Sequence, residues 1–205
     1  YAQTMGTHRQ IGVVGCASVD EYDRDVIKKH EKTRADKEDD RTRHIDEMGA
    51  HDEPVFLTYR AQPSIDSLVR EATSQPAHLD FSTRDGVRHE IRDLSQEVSA
   101  ALEQAFVRDV DSLYVADGHH RSAAASRVHA RRSSASDVGD HGVFLAVVFP
   151  HDQMQILAYN RLVRDADPAA GPRSPATAPR GADAGRRPAD DDVRPRGGGP
   201  GRVLR

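Results

Sequence analysis

Apolar runs and amphipathic stretches alternate along the chain as far as residue 164. The apolar runs have the length and β-branched content of strands, whereas the stretches between them carry apolar residues at helical spacing. Strands are predicted at 10–19 (QIGVVGCASV), 54–60 (PVFLTYR), 112–116 (SLYVA), 142–150 (GVFLAVVFP) and 153–163 (QMQILAYNRLV), with a hairpin at 78–94 around Asp85-Gly86. The run at 142–150 is the most hydrophobic of these, which predicts a central position in a sheet.

Capping residues predict where the helices begin and end. Ser18 and Glu21 have capping-box spacing, Thr33 and Ser95 are further predicted N-caps, and Gly49 is a predicted C-terminal stop. Helices are predicted at 18–32, 34–50, 64–74, 95–110 and from 119 to about 132. Because strands and helices alternate, the predicted class is α/β or α+β, with a mixed sheet flanked by helices.

The composition excludes several classes of protein. The formal net charge of −4 provides no basic field for nucleic acid or an anionic membrane. A single cysteine excludes an intramolecular disulfide and suits a reducing cytosol. The chain has no run of about 20 apolar residues that could span a membrane, and residues 1–10 lack the apolar core of a signal peptide. We therefore predict a cytoplasmic protein with no nucleic-acid or membrane partner.

The composition changes abruptly after Arg164. Residues 165–205 contain no Lys, Ile, Phe, Tyr or Met and are dominated by Arg, Pro, Gly, Ala and Asp. Such a segment buries too little apolar surface to offset the entropy of ordering it. Two interpretations stay open, a natural disordered tail and the product of a shifted reading frame. Either way, the fold and the chemistry are predicted to lie within 1–164, a partial α/β domain, because a chain that starts at Tyr1 rather than Met is predicted to be an internal fragment or a truncated gene product.

Five polar residues stand between the predicted strand 112–116 and an alanine-rich helix. We call Asp117, Gly118, His119, His120 and Arg121 the polar joint. The carboxyl edge of a sheet is where α/β folds bind ligands, and a helix that starts there offers free N–H groups to an anion. Two imidazoles and a guanidinium in the first turn oppose the helix dipole unless an anion is present. The pattern therefore predicts a small phosphate-bearing ligand, with Asp117 accepting a proton or holding Mg²⁺.

Other interpretations of the polar joint remain open. Asp117 could be only an N-cap that pairs with a structural Arg121. A transition-metal site on His119 and His120 is disfavoured, because neighbouring helical residues point about 100° apart and no further ligand motif accompanies them. A serine hydrolase is disfavoured because Ser122 lies in the helix and no G-x-S-x-G motif is present.

The predicted helix 34–50 is unusually charged. Arg41 and His44 share one face of it, and with His30 and Arg34 they form a basic stripe that could support a phosphate ligand. The alternative is a solvated helix laced with weak ion pairs. With few apolar residues for docking, this helix is predicted to be a lid or a projecting element.

The polar joint and four other stretches resemble the bacterial domain-of-unknown-function family ten-fifteen. These stretches are 114–125 (YVADGHHRSAAA), 12–44, 54–60, 144–150 and 156–163. The resemblance covers about Tyr1 to Arg164, and it implies a cytosolic protein of which this chain holds only a part.

The D-G-H-x-R core is also distantly similar to the phosphate-binding motif of the ParB/sulfiredoxin-like superfamily, which includes free serine kinases. This resemblance implies that Asp117 acts as a base or metal-orienting acid. It also implies that Gly118, His119, His120 and Arg121 bind phosphoryl oxygens of a nucleotide or pyrophosphate. A phosphotransferase acting on L-serine or a similar hydroxyl compound is therefore one hypothesis. A non-catalytic nucleotide-binding regulator and an inactive truncated fragment are the alternatives.

Overall fold

A computed structural model describes residues 1–133 and 140–158 of the chain. The chain divides into two units, of which the first includes Tyr1–Met154 and the second begins at Gln155. The fold below is that of the first unit. The predicted tail, 165–205, lies outside the described residues.

Nine strands and five helices form within the described residues. The strands are β1 (Ala2–Met5), β2 (His8–Ile11), β3 (Val13–Ser18), β4 (Ile27–Lys28), β5 (Val55–Tyr59), β6 (Leu79–Ser82), β7 (Arg88–Ile91), β8 (Leu113–Asp117) and β9 (Val143–Pro150). The helices are α1 (Val19–Asp23), α2 (Ala35–Met48), α3 (Pro63–Thr73), α4 (Gln96–Asp109) and α5 (His119–Arg132), and one 3₁₀ turn covers His151–Gln153. Helices and strands alternate as the sequence predicts, and the mixed α/β class is confirmed.

The larger sheet is mixed and has the strand order β3-β9-β5-β8-β4. β5 pairs parallel with β9 and antiparallel with β8, while β4 pairs parallel with β8. β9 has a neighbour on each side, which confirms the interior position predicted from its hydrophobicity. The core lies on this sheet: Leu57, Val115 and Val148 are fully buried, and the Tyr59 ring meets Phe106 of α4 edge-on with centroids 5.0 Å apart.

The smaller sheet is antiparallel, with the strand order β2-β1-β7-β6. β6 and β7 form the predicted hairpin, and Gly86 in its turn has a φ of 83°, a conformation that glycine adopts without strain. β1 is unexpected, because the polar residues 1–10 carry no strand signal. Its residues are held by pairing with β2 and β7 rather than by a continuous apolar face.

Three sequence predictions about these elements were wrong. The run 10–19 is two strands broken at Gly12, where a Cβ atom would lie 2.9 Å from the Phe149 ring and the Val147 side chain. The helix that starts after Ser18 ends at Asp23 instead of residue 32, because Asp25 takes a positive φ of 60° and the chain then enters β4. Residues 153–158 contain no strand, and the rest of the predicted strand 153–163 lies outside the described residues.

Three of the four predicted helix caps, Ser18, Ser95 and Gly49, are confirmed. Ser18 Oγ accepts a hydrogen bond from the Glu21 N–H at 3.3 Å, and Ser95 Oγ accepts one from the Val98 N–H at 3.2 Å. Gly49 ends α2 in the left-handed conformation. The α2 cap is Arg34 rather than Thr33, since the Thr33 hydroxyl instead donates to the side chain of Glu38.

Helix α2 does not project from the fold but packs along α5. Ile45 of α2 forms a small buried cluster with Ala124 and Val128 of α5. Arg127 of α5 reaches across to Asp39 at 2.5 Å. The charged face of α2 is thus partly used for docking. In the described part of the chain, none of the helices is both long and apolar enough to cross a bilayer.

Candidate functional site

The polar joint is formed where β8 passes directly into α5. β8 ends at Asp117, and Gly118 follows as the helix N-cap with a φ of 94°. A Cβ atom at this position would lie 3.1 Å from Cζ of Arg121, so glycine serves both the backbone turn and the close approach of the guanidinium. Since glycine has no capping side chain, the first-turn N–H groups of α5 are left for another acceptor.

Arg121 lies across the joint and is held by two hydrogen bonds and one longer ion pair. Its Nη2 donates to Asp117 Oδ2 at 2.6 Å, and its Nη1 donates to the carbonyl oxygen of Pro54. Its Nε lies 3.7 Å from Glu53 Oε2. The Asp117 side chain is 72% exposed, whereas that of Arg121 is only 23% exposed. In this pair, the Arg121 cation is held in place and largely buried, whereas the Asp117 carboxylate is accessible to solvent.

His119 is the most buried member of the joint, with 4% of its surface exposed. Its Nδ1 lies 3.5 Å from Glu31 Oε2, and the His30 ring meets its ring edge-on at a centroid distance of 4.4 Å. Its Nε2 is buried and has no hydrogen-bond partner among residues 1–133 and 140–158. Burial lowers the pKa of His119, and the charge of His30 lowers it further. The ring is therefore neutral near pH 7.

His120 and Arg34 meet through an unexpected contact. The backbone N–H of Arg34 donates to His120 Nε2 at 3.2 Å. The Arg34 guanidinium turns away and pairs with Asp36 at 2.8 Å, which holds the pKa of the Asp36 carboxyl below its usual value. The predicted basic stripe thus contributes the backbone of Arg34 to the joint rather than its charge.

The remaining two residues of the predicted stripe lie further from the joint. Arg41 Nη1 is 3.7 Å from Glu53 Oε1, so Glu53 lies between Arg41 and Arg121. His44 Nε2 contacts Asp52 Oδ2 at 3.0 Å and is one step more remote. The crevice that these residues line has a volume of about 10 Å³, room for a single water at most. A ligand would therefore bind on the open side of the joint, where Asp117 is exposed.

Comparison with known families identifies the chain. The model of the family described as "Protein of unknown function (DUF1015)" matches residues 1–173. The chain belongs to the DUF1015 family. The family resemblance seen in the sequence is thereby confirmed, while the distant likeness to the ParB/sulfiredoxin-like superfamily stays a prediction. No curated protein and no solved structure matches this DUF1015 chain.

Sequence reasoning missed the carboxylates that the DUF1015 fold brings to the joint. Asp117 is the only acid within the motif, and the joint therefore looked short of negative charge. Glu31 and Glu53 come from distant parts of the chain and lie beside His119 and Arg121. Glu31 was concealed in a segment predicted to be helical, and Glu53 lies in a connecting segment without a motif. An anionic ligand must therefore compete with protein carboxylates for Arg121.

The arrangement supports two kinds of chemistry in this DUF1015 domain. A helix start and an arginine side chain can both bind the oxygens of a phosphate, because both offer N–H donors and carry positive charge. Asp117 can hold a metal ion that is bound mainly by phosphate oxygens and water. A protein-built metal centre is not indicated, because no group of three or more His, Cys, Asp or Glu side chains is placed to hold an ion in the parts of the chain described.

Proposed function

We propose that this protein binds a small phosphate-bearing molecule at the polar joint and transfers a phosphoryl group to a small hydroxyl compound, with L-serine as the first acceptor to test. The observation that carries the proposal is the convergence of Arg121 and the glycine-capped start of α5 at the carboxyl end of β8. The family match supports neither phosphate binding nor transfer by itself, so the proposal depends on this geometry.

Binding would begin with an exchange of partners at Arg121. Its bond to Asp117 is replaced by a bond to a phosphate oxygen, which matches the planar guanidinium as well as a carboxylate does. Further phosphate oxygens accept from the N–H groups of His119, His120 and Arg121 in the first turn of α5. Most of the positive charge needed by the transferring phosphoryl group is then already in place.

The exchange leaves the exposed carboxylate of Asp117 without its cation. Mg²⁺ fits this position, since it prefers one or two carboxylates together with phosphate oxygens and water, and it would neutralise charge on the transferring group. The phosphoryl donor would be a nucleotide or pyrophosphate. His30 and Arg34 lie at the edge of the joint. Arg41 pairs with Glu53, which in turn lies beside Arg121, and His44 pairs with Asp52 further away.

Phosphate binding is tested by titrating the full chain with inorganic phosphate, pyrophosphate and ATP, followed by phosphorus NMR. Arg121→Gln is compared with Arg108→Gln, because Arg108 also bonds to a neighbouring aspartate, Asp109, at 2.7 Å but lies at the end of α4. We expect Arg121→Gln to raise the Kd by about 10-fold or more, the worth of one charged hydrogen bond, and Arg108→Gln to leave it unchanged. Equal Kd values for all three proteins would overturn the proposed site.

Transfer is tested separately by incubating the chain and L-serine with ATP, ADP or pyrophosphate and Mg²⁺. Appearance of the phosphoserine resonance supports the reaction. Phosphate binding without phosphoserine would refute transfer to serine and favour the non-catalytic regulator. That alternative is consistent with the resting contact between Asp117 and Arg121, which a bound phosphate could release as a signal.

A further inference from the structure

We infer that His119 takes the proton from the attacking hydroxyl and that Glu31 positions its ring for this role. The inference rests on the proposed phosphoryl transfer and assigns its base. It also gives His119 a role different from phosphate binding. The geometry that carries it is a buried imidazole with a carboxylate on one side and an unpartnered nitrogen on the other.

The position of Glu31 decides which nitrogen of His119 carries the proton. An ionised carboxylate only accepts hydrogen bonds, so a lone pair on Nδ1 facing Glu31 Oε2 at 3.5 Å would be repelled. The proton therefore resides on Nδ1, and Nε2 presents a lone pair. A lone pair cannot bind a phosphate oxygen, but it can accept the proton of a hydroxyl group.

The charged and titratable groups around His119 keep this lone pair available. His30 and Glu31 contact it from the loop after β4, while Asp117 at the end of β8 and His120 in the same helix turn act on it through their charges. Burial and the two histidines lower the pKa of His119, while the two carboxylates oppose them. The neutral ring thus persists near pH 7, and the carboxylates stabilise the imidazolium that forms once a proton has been accepted.

Asp117 is less suited to this role than His119. Its Oδ2 already accepts from Arg121 at 2.6 Å, and the carboxylate freed by phosphate binding is the one placed to hold Mg²⁺. His119 Nε2 has no competing partner among the described residues. A buried acceptor without a partner is destabilising, and a substrate hydroxyl that donates to it would offset that cost.

Nε2 is buried, so a substrate can reach it only after a movement, and the adjacent loop 29–34, which contains no helix or strand, is the segment that we expect to move. The His30 ring contacts the His119 ring at a centroid distance of 4.4 Å through an edge-on contact rather than a hydrogen bond, and the Glu31 side chain is 59% exposed. Breaking these contacts costs less free energy than displacing a packed helix would. The hydroxyl compound would replace the His30 ring while Glu31 stays beside Nδ1.

The proposed step balances without a further reactant. The hydroxyl oxygen forms a bond to phosphorus as the bond from phosphorus to the leaving oxygen of a nucleotide or pyrophosphate breaks. The leaving phosphate departs with that electron pair, and the hydroxyl proton moves to Nε2 of His119. The resulting imidazolium, flanked by Glu31, returns the proton to water after product release.

The tautomer is tested first, on the full chain with ¹⁵N-labelled histidine. Long-range proton–nitrogen spectra should show the His119 proton on Nδ1 in the wild type and a mixture of tautomers in Glu31→Ala. His78 is the matched reference, since its Nδ1 also lies near a carboxylate, Asp93, at 3.1 Å but on the exposed surface. A wild-type His119 with its proton on Nε2 would overturn the assignment of His119 as the base, whether or not the protein binds or transfers phosphate.

The kinetic test compares His119→Gln and Glu31→Ala with His78→Gln. We expect His119→Gln to lower kcat by about 100-fold or more while the Kd for the donor stays unchanged, because Arg121 still binds the phosphate. Glu31→Ala should move the acid limb of the kcat–pH profile to lower pH, since Glu31 raises the pKa of His119. An unchanged kcat in His119→Gln refutes the base. If the wild type binds phosphate but transfers none, the proposed reaction is refuted. The tautomer experiment still decides whether Glu31 holds the proton of His119 on Nδ1.

Discussion

Replacing Gly118 with alanine would place a methyl group between the backbone turn and the guanidinium of Arg121. Gly118 has a φ of 94°, outside the narrow left-handed region that other L-residues can adopt. The new Cβ atom would lie 3.1 Å from both Cζ and Nε of Arg121. The guanidinium would have to shift by a few tenths of an ångström or leave Asp117.

The size of the effect follows from these two contributions. An L-residue held at positive φ costs about 1–2 kcal/mol. Loosening the partly exposed bond between Arg121 and Asp117 adds up to about 1 kcal/mol. Gly49→Ala is the matched control, because Gly49 has a φ of 64° but no atom lies within 4 Å of the position that its new methyl group would take. Only the backbone cost applies there.

Urea unfolding followed by circular dichroism measures both variants. The φ of 94° puts Gly118→Ala at the upper end of the backbone cost, so we expect it to lose about 2–3 kcal/mol of unfolding free energy, and Gly49→Ala about 1 kcal/mol. Phosphate affinity should fall only in Gly118→Ala, because only there is Arg121 displaced. If the two variants lose equal stability and Gly118→Ala binds phosphate like the wild type, the close approach of Arg121 has no energetic importance.

Two further predictions concern buried and paired charges. Burial raises the pKa of Glu21 in the folded protein above its value in the unfolded chain. The neutral carboxyl therefore contributes its full stability at pH values below the pKa of the unfolded chain, and this contribution is lost as the pH rises through the pKa of the folded protein. Glu21→Gln should therefore be more stable than the wild type by about 1 kcal/mol near pH 8 and gain nothing near pH 4 in urea titrations. Arg127→Met removes the ion pairs with Glu38 and Asp39, so it should lower the free energy of unfolding by about 1 kcal/mol at low salt and by less in about 1 M NaCl. Arg43→Met is the control and should cost little, because the Arg43 ion pair lies within α2 alone.

Much of the fold was predictable because local signals and tertiary structure agree. The hairpin at Asp85-Gly86, the Ser95 cap and the interior position of β9 each depend on turn chemistry or hydrophobicity that the sequence displays. The failures occurred where tertiary contacts override propensity. The apolar run 10–19 is divided at Gly12, where the Phe149 ring leaves no room for a Cβ atom, and no local pattern reveals that neighbour.

The candidate site was half predictable for the same reason. The residues of the polar joint are adjacent in sequence, so their shared position followed from one strand and one helix. The loop that carries His30 and Glu31 was assigned to a helix, because the charged stretch after Ser18 has good helical composition. The positive φ of Asp25 ends that helix and releases the chain into β4, a strand of two residues that is too short to recognise from a pattern.

That short strand explains why two segments about 90 residues apart in the chain form one site. Ile27 pairs with Leu113 and Lys28 with Tyr114 in parallel register. Parallel neighbours carry their carboxyl ends to the same edge of a sheet, so the loop after β4 must lie beside the residues after β8. Strand pairing therefore brings Glu31 close to His119. The site therefore consists of two backbone segments, the start of α5 with His119 and Arg121 and the loop 29–34 with His30 and Glu31, which the pairing of β4 with β8 holds side by side.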